Sequence, residues 1–474
     1  MLELPLFRTA ANRAIVICLS FAVFVTYKFN DIFLPYFWDE MAGYMSGVIY
    51  MLDHKISILP SAIPAESSYG HPLLVHFIMA CVAKVFGSSV AVMHVTTLVF
   101  TFFLAWGTYL LAYFLSKNYS LAIGAFILCL AQPIVIAQST QVLLEVFLAM
   151  TFVYAVYFYC REHYTFSVLF CVMAVLTKET GIVMAIAFIV QHSLQLVLDK
   201  DVKKWMRLNM MYLLPFVVFG AFILIQKQTY GWYLNPVNVG KTKLALGSMI
   251  QKIWDYPLEF TFVNQGRFAL SLVMLGAIIL FFIRDFKSSK WHFNRPLMLI
   301  GIFSFGFIVF SSIADTLERY FLALIPFAVI GFASCIWYFR RIHTYLPVFL
   351  FLICVSVNLW YIDNGEKYAD ADMSYRHLVK TNQMVFDYVN SGRFQNDTIG
   401  FAFPMMYAPL DTRYGYFKEK RFVADTGFTK KSKYFIYCSP GNIDWNPPDN
   451  HQLIPIMEFR SGYSKAFIYK KINF

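Results

Sequence analysis

The feature that most limits what this chain can fold into is its spacing of apolar runs. Stretches of roughly 16 to 27 residues with few charges recur near residues 14–30, 89–115, 120–138, 142–159, 164–179, 181–198, 208–226, 267–283, 297–314, 320–338 and 346–362. A helix of about 20 apolar residues crosses the hydrocarbon core of a bilayer, with every backbone group bonded within the segment. About eleven membrane-spanning helices are therefore predicted. At 59% hydrophobic and 14% charged, the chain lies well outside the range of soluble globular proteins. The first run has Arg8 and Arg13 before it, no small-residue cleavage site after it, and further spans to follow. It reads as a retained helix rather than a signal peptide.

The formal net charge is +11, with Lys and Arg concentrated in short loops between the apolar runs. That distribution points to topology and anionic headgroups rather than to nucleic acid. Residues 72–86 are apolar but short, open on Pro72, and carry His76 and Lys84. Leaving them out of the count, with the amino terminus inside, places Lys117, the 200–207 cluster, the segment from Arg284 to Arg295 and Arg340-Arg341 on the cytoplasmic side. Residues 72–86 are then an interfacial or re-entrant helix on the outer face. The same parity puts residues 28–86, 139–144, 227–266 and 315–319, with everything after Asp363, outside. Within 227–266, Leu246, Met249, Ile250, Ile253 and Trp254 recur at helical spacing, as in a helix lying in the interface. Seven of the eight cysteines lie in or beside apolar runs, only Cys438 falls in the tail, and there is no CxxC pair.

From about Asp363 the composition turns globular. Leu378, Val385 and Val389 mark one face of a helix near 374–390, and residues 398–403, 434–438, 453–459 and 466–469 read as strands between Pro and Asn clusters. The expected organisation is a transmembrane domain over 1–362 and a small outer-face α/β domain over 363–474.

Ionisable groups at the ends of spans are few. Asp39 and Glu40 follow the first span, Glu145 begins the fourth, Lys178 and Glu179 end the fifth, and Glu318-Arg319-Tyr320 begin the tenth. All fall on the outer side of the predicted membrane. A charge placed beside lipid needs a partner or a task. An isolated acidic pair is as often a solvated loop, and Lys178 alone could be a snorkelling side chain. Convergence of four segments at one level favours a site. A carboxylate can act as base on a hydroxyl, and Lys with Arg can neutralise a phosphate leaving group. Together they suit glycosyl transfer from a lipid phosphate.

The residues also carry a resemblance. Asp39-Glu40 with Tyr44, the His71-Pro72-Leu73-Leu74 turn, Glu145 after Gln138 to Gln141, Leu176-Thr177-Lys178, and Glu318-Arg319-Tyr320-Phe321-Leu322 with Pro326 resemble, in matching order over about residues 14–340, the GT-C glycosyltransferases. The nearest match is the protein O-mannosyltransferase family, family 39, with bacterial relatives such as the lipid A aminoarabinose transferases. The resemblance implies an all-α polytopic GT-C domain, a polyprenyl-phosphate sugar donor, a lipid, glycan or protein acceptor and inverting displacement. It implies Asp39 as the base, Glu40 as its neighbour in the acceptor or donor site, and Glu145 as the second-loop acid. Lys178, Arg319, His71 and Tyr320 would hold the donor phosphate. Departures occur at Leu73, where the family often has a second Pro, and at Glu145, where Asp is commoner. Metal use stays open, since some GT-C enzymes take a divalent cation and the family 39 relatives generally do not require one. The family's eukaryotic members carry a large inserted lumenal domain that residues 227–266 are too short to supply. A bacterial inner-membrane enzyme with a periplasmic site is expected.

The alternative from a different class is a flippase or transporter of a lipid-linked sugar. Such proteins place charges near the bilayer midplane and often show internal repeats, and neither is visible here. Gly240-Lys241-Thr242 lacks the earlier glycine of a phosphate-binding loop, Asn235 standing in its place. Asn118-Tyr119-Ser120 and Asn396-Asp397-Thr398 match the glycosylation pattern, but such matches are common by chance, and no His, Cys and carboxylate spacing suggests zinc.

Overall fold

A computed structural model of the protein describes residues 9–240, 246–286, 294–313, 316–364, 370–395, 397–426, 431–439 and 453–472. Lys241, Thr242, Asp315, Asn396 and the middle of the basic segment after Arg284 lie outside these. In chain order the helices are α1 (Ala10–Lys28), α2 (Ser46–Asp53), α3 (Leu74–Phe86), α4 (Val90–Ser116), α5 (Tyr119–Leu130), α6 (Pro133–Gln138), α7 (Glu145–Cys160), α8 (Tyr164–Thr177) and α9 (Ile182–Asp199). They continue with α10 (Val202–Tyr212), α11 (Leu214–Tyr230), α12 (Pro236–Gly240), α13 (Leu246–Pro257), α14 (Arg267–Arg284), α15 (Arg295–Ser312), α16 (Ile325–Tyr338), α17 (Leu346–Asn364) and α18 (Tyr375–Val389).

Each of the predicted apolar runs contains one of these helices. Among the described residues six stretches are long and apolar enough to cross a membrane, Ala10–Phe33, Val90–Ser116, Glu179–Asp199, Val202–Tyr230, Arg267–Arg284 and Arg295–Ser312, while the other five expected spans, at α5, α7, α8, α16 and α17, hold shorter helices. The protein is a multi-pass membrane protein. Burial sorts the helices by position. α7 is buried almost all round, as the central helix of a bundle must be, whereas α1 buries only Ile17, Phe24 and Lys28 and turns the rest of its apolar surface outward. α3 has 13 residues, about 20 Å of helix at 1.5 Å per residue. It packs on α2 and α4. On α13, Leu246, Ile250 and Trp254 form an exposed apolar row at i, i+4 and i+8, as an interfacial helix requires. Asn118 is buried and caps α5, its Oδ1 accepting from the amide of Leu121 at 3.0 Å, so it is a helix cap rather than a surface acceptor.

The C-terminal region is a small α/β unit. Strands β1 (Thr398–Phe401), β2 (Val423–Thr426), β3 (Tyr434–Ser439), β4 (Leu453–Ser461) and β5 (Ser464–Lys471) form one sheet in the order β2-β1-β3-β5-β4. β1 lies parallel between β2 and β3, with Ile399 opposite Ala424 and Tyr434, and β4 and β5 form an antiparallel hairpin. The hairpin turns in two residues, Gly462 taking φ +54° as a primed turn requires. The expected helix and four strands are all present, while β2, four residues with no alternating apolar pattern, was not anticipated. α18 turns Leu378, Val385 and Val389 into the core and packs over β4 and β5.

Candidate active site

The site begins where α1 ends. A short 3-10 turn, Phe29–Phe33, leads to Trp38, held at φ +52°, and then to a π-helical turn over Glu40–Met45. A bulky residue in the left-handed region is strained, and π-turns concentrate at functional sites. Tertiary contacts hold this one. The Trp38 ring meets Phe403 edge-on at 5.7 Å, and Tyr36 donates its amide to the carbonyl of Tyr414 at 3.1 Å.

The consequence is that the two adjacent carboxylates part company. Glu40 is buried and bonded to backbone: its Oε2 accepts from the amide of Phe37 at 3.0 Å, its Oε1 from that of Val142 at 2.6 Å, and His94 Nε2 lies at 3.4 Å. It ties this turn to the loop before α7. Asp39 instead reaches Arg319, pairing with Nη2. Asp39 is 20% exposed while Arg319 is 2% exposed, so the base candidate is open and its cation is not.

Arg319 lies in a 3-10 turn, Glu318–Ala323, that leads into α16. Its Nε is 3.7 Å from Glu145 Oε1, at the first turn of α7, and that same oxygen accepts from Lys178 Nζ at 3.0 Å. Lys178 follows α8, and its Nζ sits 3.5 Å from the centre of the Tyr320 ring, which the Arg319 guanidinium also faces at 5.4 Å. Cations over an aromatic face gain a further attraction, strongest where water is excluded. The turn is braced by its neighbour Glu318, paired with buried Arg267 at 2.9 Å, and Arg267 in turn donates to Gln265 Oε1 at 3.2 Å.

Thus Asp39, Glu145, Lys178, Arg319 and Tyr320 come together. His71 stands at one remove, with Nδ1 2.7 Å from Oε2 of Glu179, the residue after Lys178. Gly70 precedes it at φ +83°, where a side chain would meet Asn235. Glu40 faces away from the cluster. Among the described residues no group of three His, Cys, Asp or Glu is arranged to hold a metal ion.

Three contributors were missed by sequence reasoning. Asp370 pairs with Nη1 of Arg319. It belongs to a strap before α18 whose backbone is pinned on the helical domain, Gln138 donating to the carbonyl of Asp370 and Gln265 to that of Ala371 at 2.9 Å. Farther along, Tyr375 bonds Lys28 at 3.1 Å and Arg376 bonds Asp31 at 2.7 and 2.8 Å. Burial, opposed by Arg319, pushes the Asp370 carboxyl up to about 6. The other two are Tyr69, whose ring lies against Gly43, and Tyr407 of the sheet domain. Burial raises both phenols, and the charge of Asp39 raises them further. The signal available for Asp370 was the one used for Asp39: a carboxylate just beyond the end of an apolar run.

No protein-family model matches the chain, and no curated protein does. Solved structures do. ArnT from Cupriavidus metallidurans bound to undecaprenyl phosphate superposes with a TM-score of 0.61 at 12% identity, covering 95% of this chain and 97% of that one. The apo state of the same protein gives 0.60 at 13% identity, over 97% and 98%. Over nearly its whole length, this chain has the GT-C fold seen in ArnT.

Proposed function

We propose that the protein is a membrane glycosyltransferase that moves a sugar from a polyprenyl-phosphate donor to an acceptor hydroxyl or phosphate at the outer face, with inversion. The observation that carries this reading is the pairing of partly exposed Asp39 with buried Arg319, in a cluster that also holds Lys178 and Glu145. Fixed cations facing a developing phosphate charge act strongly where water is excluded. The similar fold of ArnT, whose structure contains undecaprenyl phosphate, supports a lipid-linked donor.

In this scheme the acceptor oxygen attacks the anomeric carbon from the face opposite the phosphate. Where the acceptor is a hydroxyl, its proton passes to Asp39. The bond between sugar and phosphate breaks with its electron pair going to the polyprenyl phosphate, whose charge Lys178 and Arg319 neutralise. Glu145 holds both cations in place, and Tyr320 offers them a common aromatic face. His71 acts through Glu179 on the turn that presents Lys178, and Glu40 shapes the turn that presents Asp39. The transmembrane domain over 1–362 carries the chemistry, and the domain over 363–474 covers it from the periplasmic side of a bacterial inner membrane.

The test is mass spectrometry of outer-face lipids, glycans and proteins from cells carrying the wild type or Asp39→Asn. A glycosylated product present with the wild type and missing with the variant is expected, and identical profiles contradict the reading.

A further inference from the structure

Both terminal nitrogens of Arg319 already face a carboxylate, while its buried Nε has no hydrogen-bond partner. Asp39 takes Nη2, Asp370 takes Nη1, and Glu145 lies beside Nε. Around the two cations Arg319 and Lys178 stand three carboxylates, so the cluster already carries a surplus of one negative charge when all are ionised. A phosphate entering this buried place meets net repulsion, and a charge brought into a poorly solvated site without a free partner is strongly disfavoured. One carboxylate must yield.

The three are not equally able to do so. Glu145 is 2% exposed and bonded to Lys178 as well as facing Arg319, so moving it strips both cations. Asp39 is the group the transfer needs beside the acceptor. Asp370 is 13% exposed, and among the described residues Arg319 is the one cation its carboxylate meets. Its backbone is held independently of that contact, through the carbonyls bonded by Gln138 and Gln265. The side chain can therefore swing off Arg319 by rotation about its own bonds while the strap stays docked.

We propose that Asp370 is an intramolecular stand-in for the donor phosphate, occupying the Nη1 edge of Arg319 until a lipid phosphate displaces it. The strap then couples the sheet domain to the state of the site. This rests on the reading of Arg319 as a phosphate ligand. An internal competitor that fills the site nine-tenths of the time lowers apparent affinity about tenfold. Removing its charge should restore that factor.

The experiment is a binding titration of the full-length protein in detergent with undecaprenyl phosphate, comparing wild type, Asp370→Asn, Asp370→Ala and Arg319→Met. Asn is isosteric with Asp, and agreement between the Asn and Ala variants, both eluting as monodisperse protein, sets folding effects aside. Binding about tenfold tighter in both Asp370 variants, and lost in Arg319→Met, is the expected result. Unchanged or weaker binding in the Asp370 variants, with Arg319→Met still defective, overturns the stand-in and leaves the phosphate reading intact. Binding that is absent from every protein, or indifferent to Arg319→Met, overturns the phosphate reading itself.

Discussion

Asp39 and Arg319 are 280 residues apart in the sequence and joined by an ion pair in the fold. The pair links the turn after α1 to the turn before α16, and so bridges the ends of two separate helices. Arg is suited to this place because its planar fork can serve two partners at once, while Lys offers a compact single charge. Arg319→Lys should retain the fold and weaken binding of a polyprenyl phosphate by roughly tenfold or more, as a titration in detergent will read.

Glu40 has a different weight from its neighbour. It accepts two backbone amides in a buried turn. Leaving such donors unsatisfied costs about 1–3 kcal/mol each. Glu40→Ala should therefore lower the thermal midpoint clearly, and more than Asp39→Asn does, in parallel unfolding scans.

Gly43 is a position where no side chain fits. A Cβ there would stand 1.9 Å from a ring carbon of Tyr69, the phenol that faces Asp39. Overpacking of this kind costs about 1–3 kcal/mol. Gly43→Ala should push the Tyr69 ring aside and reduce both stability and turnover, and Gly43→Ala with Tyr69→Leu should recover part of the stability.

Asp370 makes stability depend on pH. Its carboxyl is raised from 3.8 to about 6, chiefly by burial, with Arg319 pulling it down and Asp39 and Glu145 pushing it further up. The folded protein thus holds this proton more tightly than the unfolded chain. The stabilisation is full below about pH 4 and is lost as pH rises through about 6. The thermal midpoint of Asp370→Asn relative to wild type should increase across that interval, and a flat difference would show that the carboxyl is not perturbed.

Much of this was legible in the sequence, for identifiable reasons. The apolar helices were readable because long runs with little charge stand out, although among the described residues six of the eleven expected spans reach the length needed to cross. Glu145, Lys178, Arg319 and Tyr320 stood out because charge is scarce in such a chain and these residues mark the ends of spans. The direction of the Glu40 side chain was not readable, since it depends on a left-handed Trp38 and a π-turn that no local pattern announces. Asp370 escaped because it sits among other acidic residues at the start of a globular segment, where solvated carboxylates are ordinary. Only the docking of the strap through Gln138 and Gln265 gives it a special position. Tyr407 approaches Asp39 by long-range packing of the sheet domain, which helical periodicity cannot foretell.

The central claim is that Asp39 takes the acceptor proton while Arg319 and Lys178 hold the phosphate. The most direct test measures transfer of sugar from polyprenyl-phosphate donors to a hydroxyl acceptor by purified wild type and Asp39→Asn, alongside binding of undecaprenyl phosphate to each. Loss of a positioned base removes about 10²- to 10⁴-fold in rate. The account predicts a loss of that size in turnover, with undecaprenyl phosphate still bound by the variant. Undiminished transfer by Asp39→Asn would contradict it.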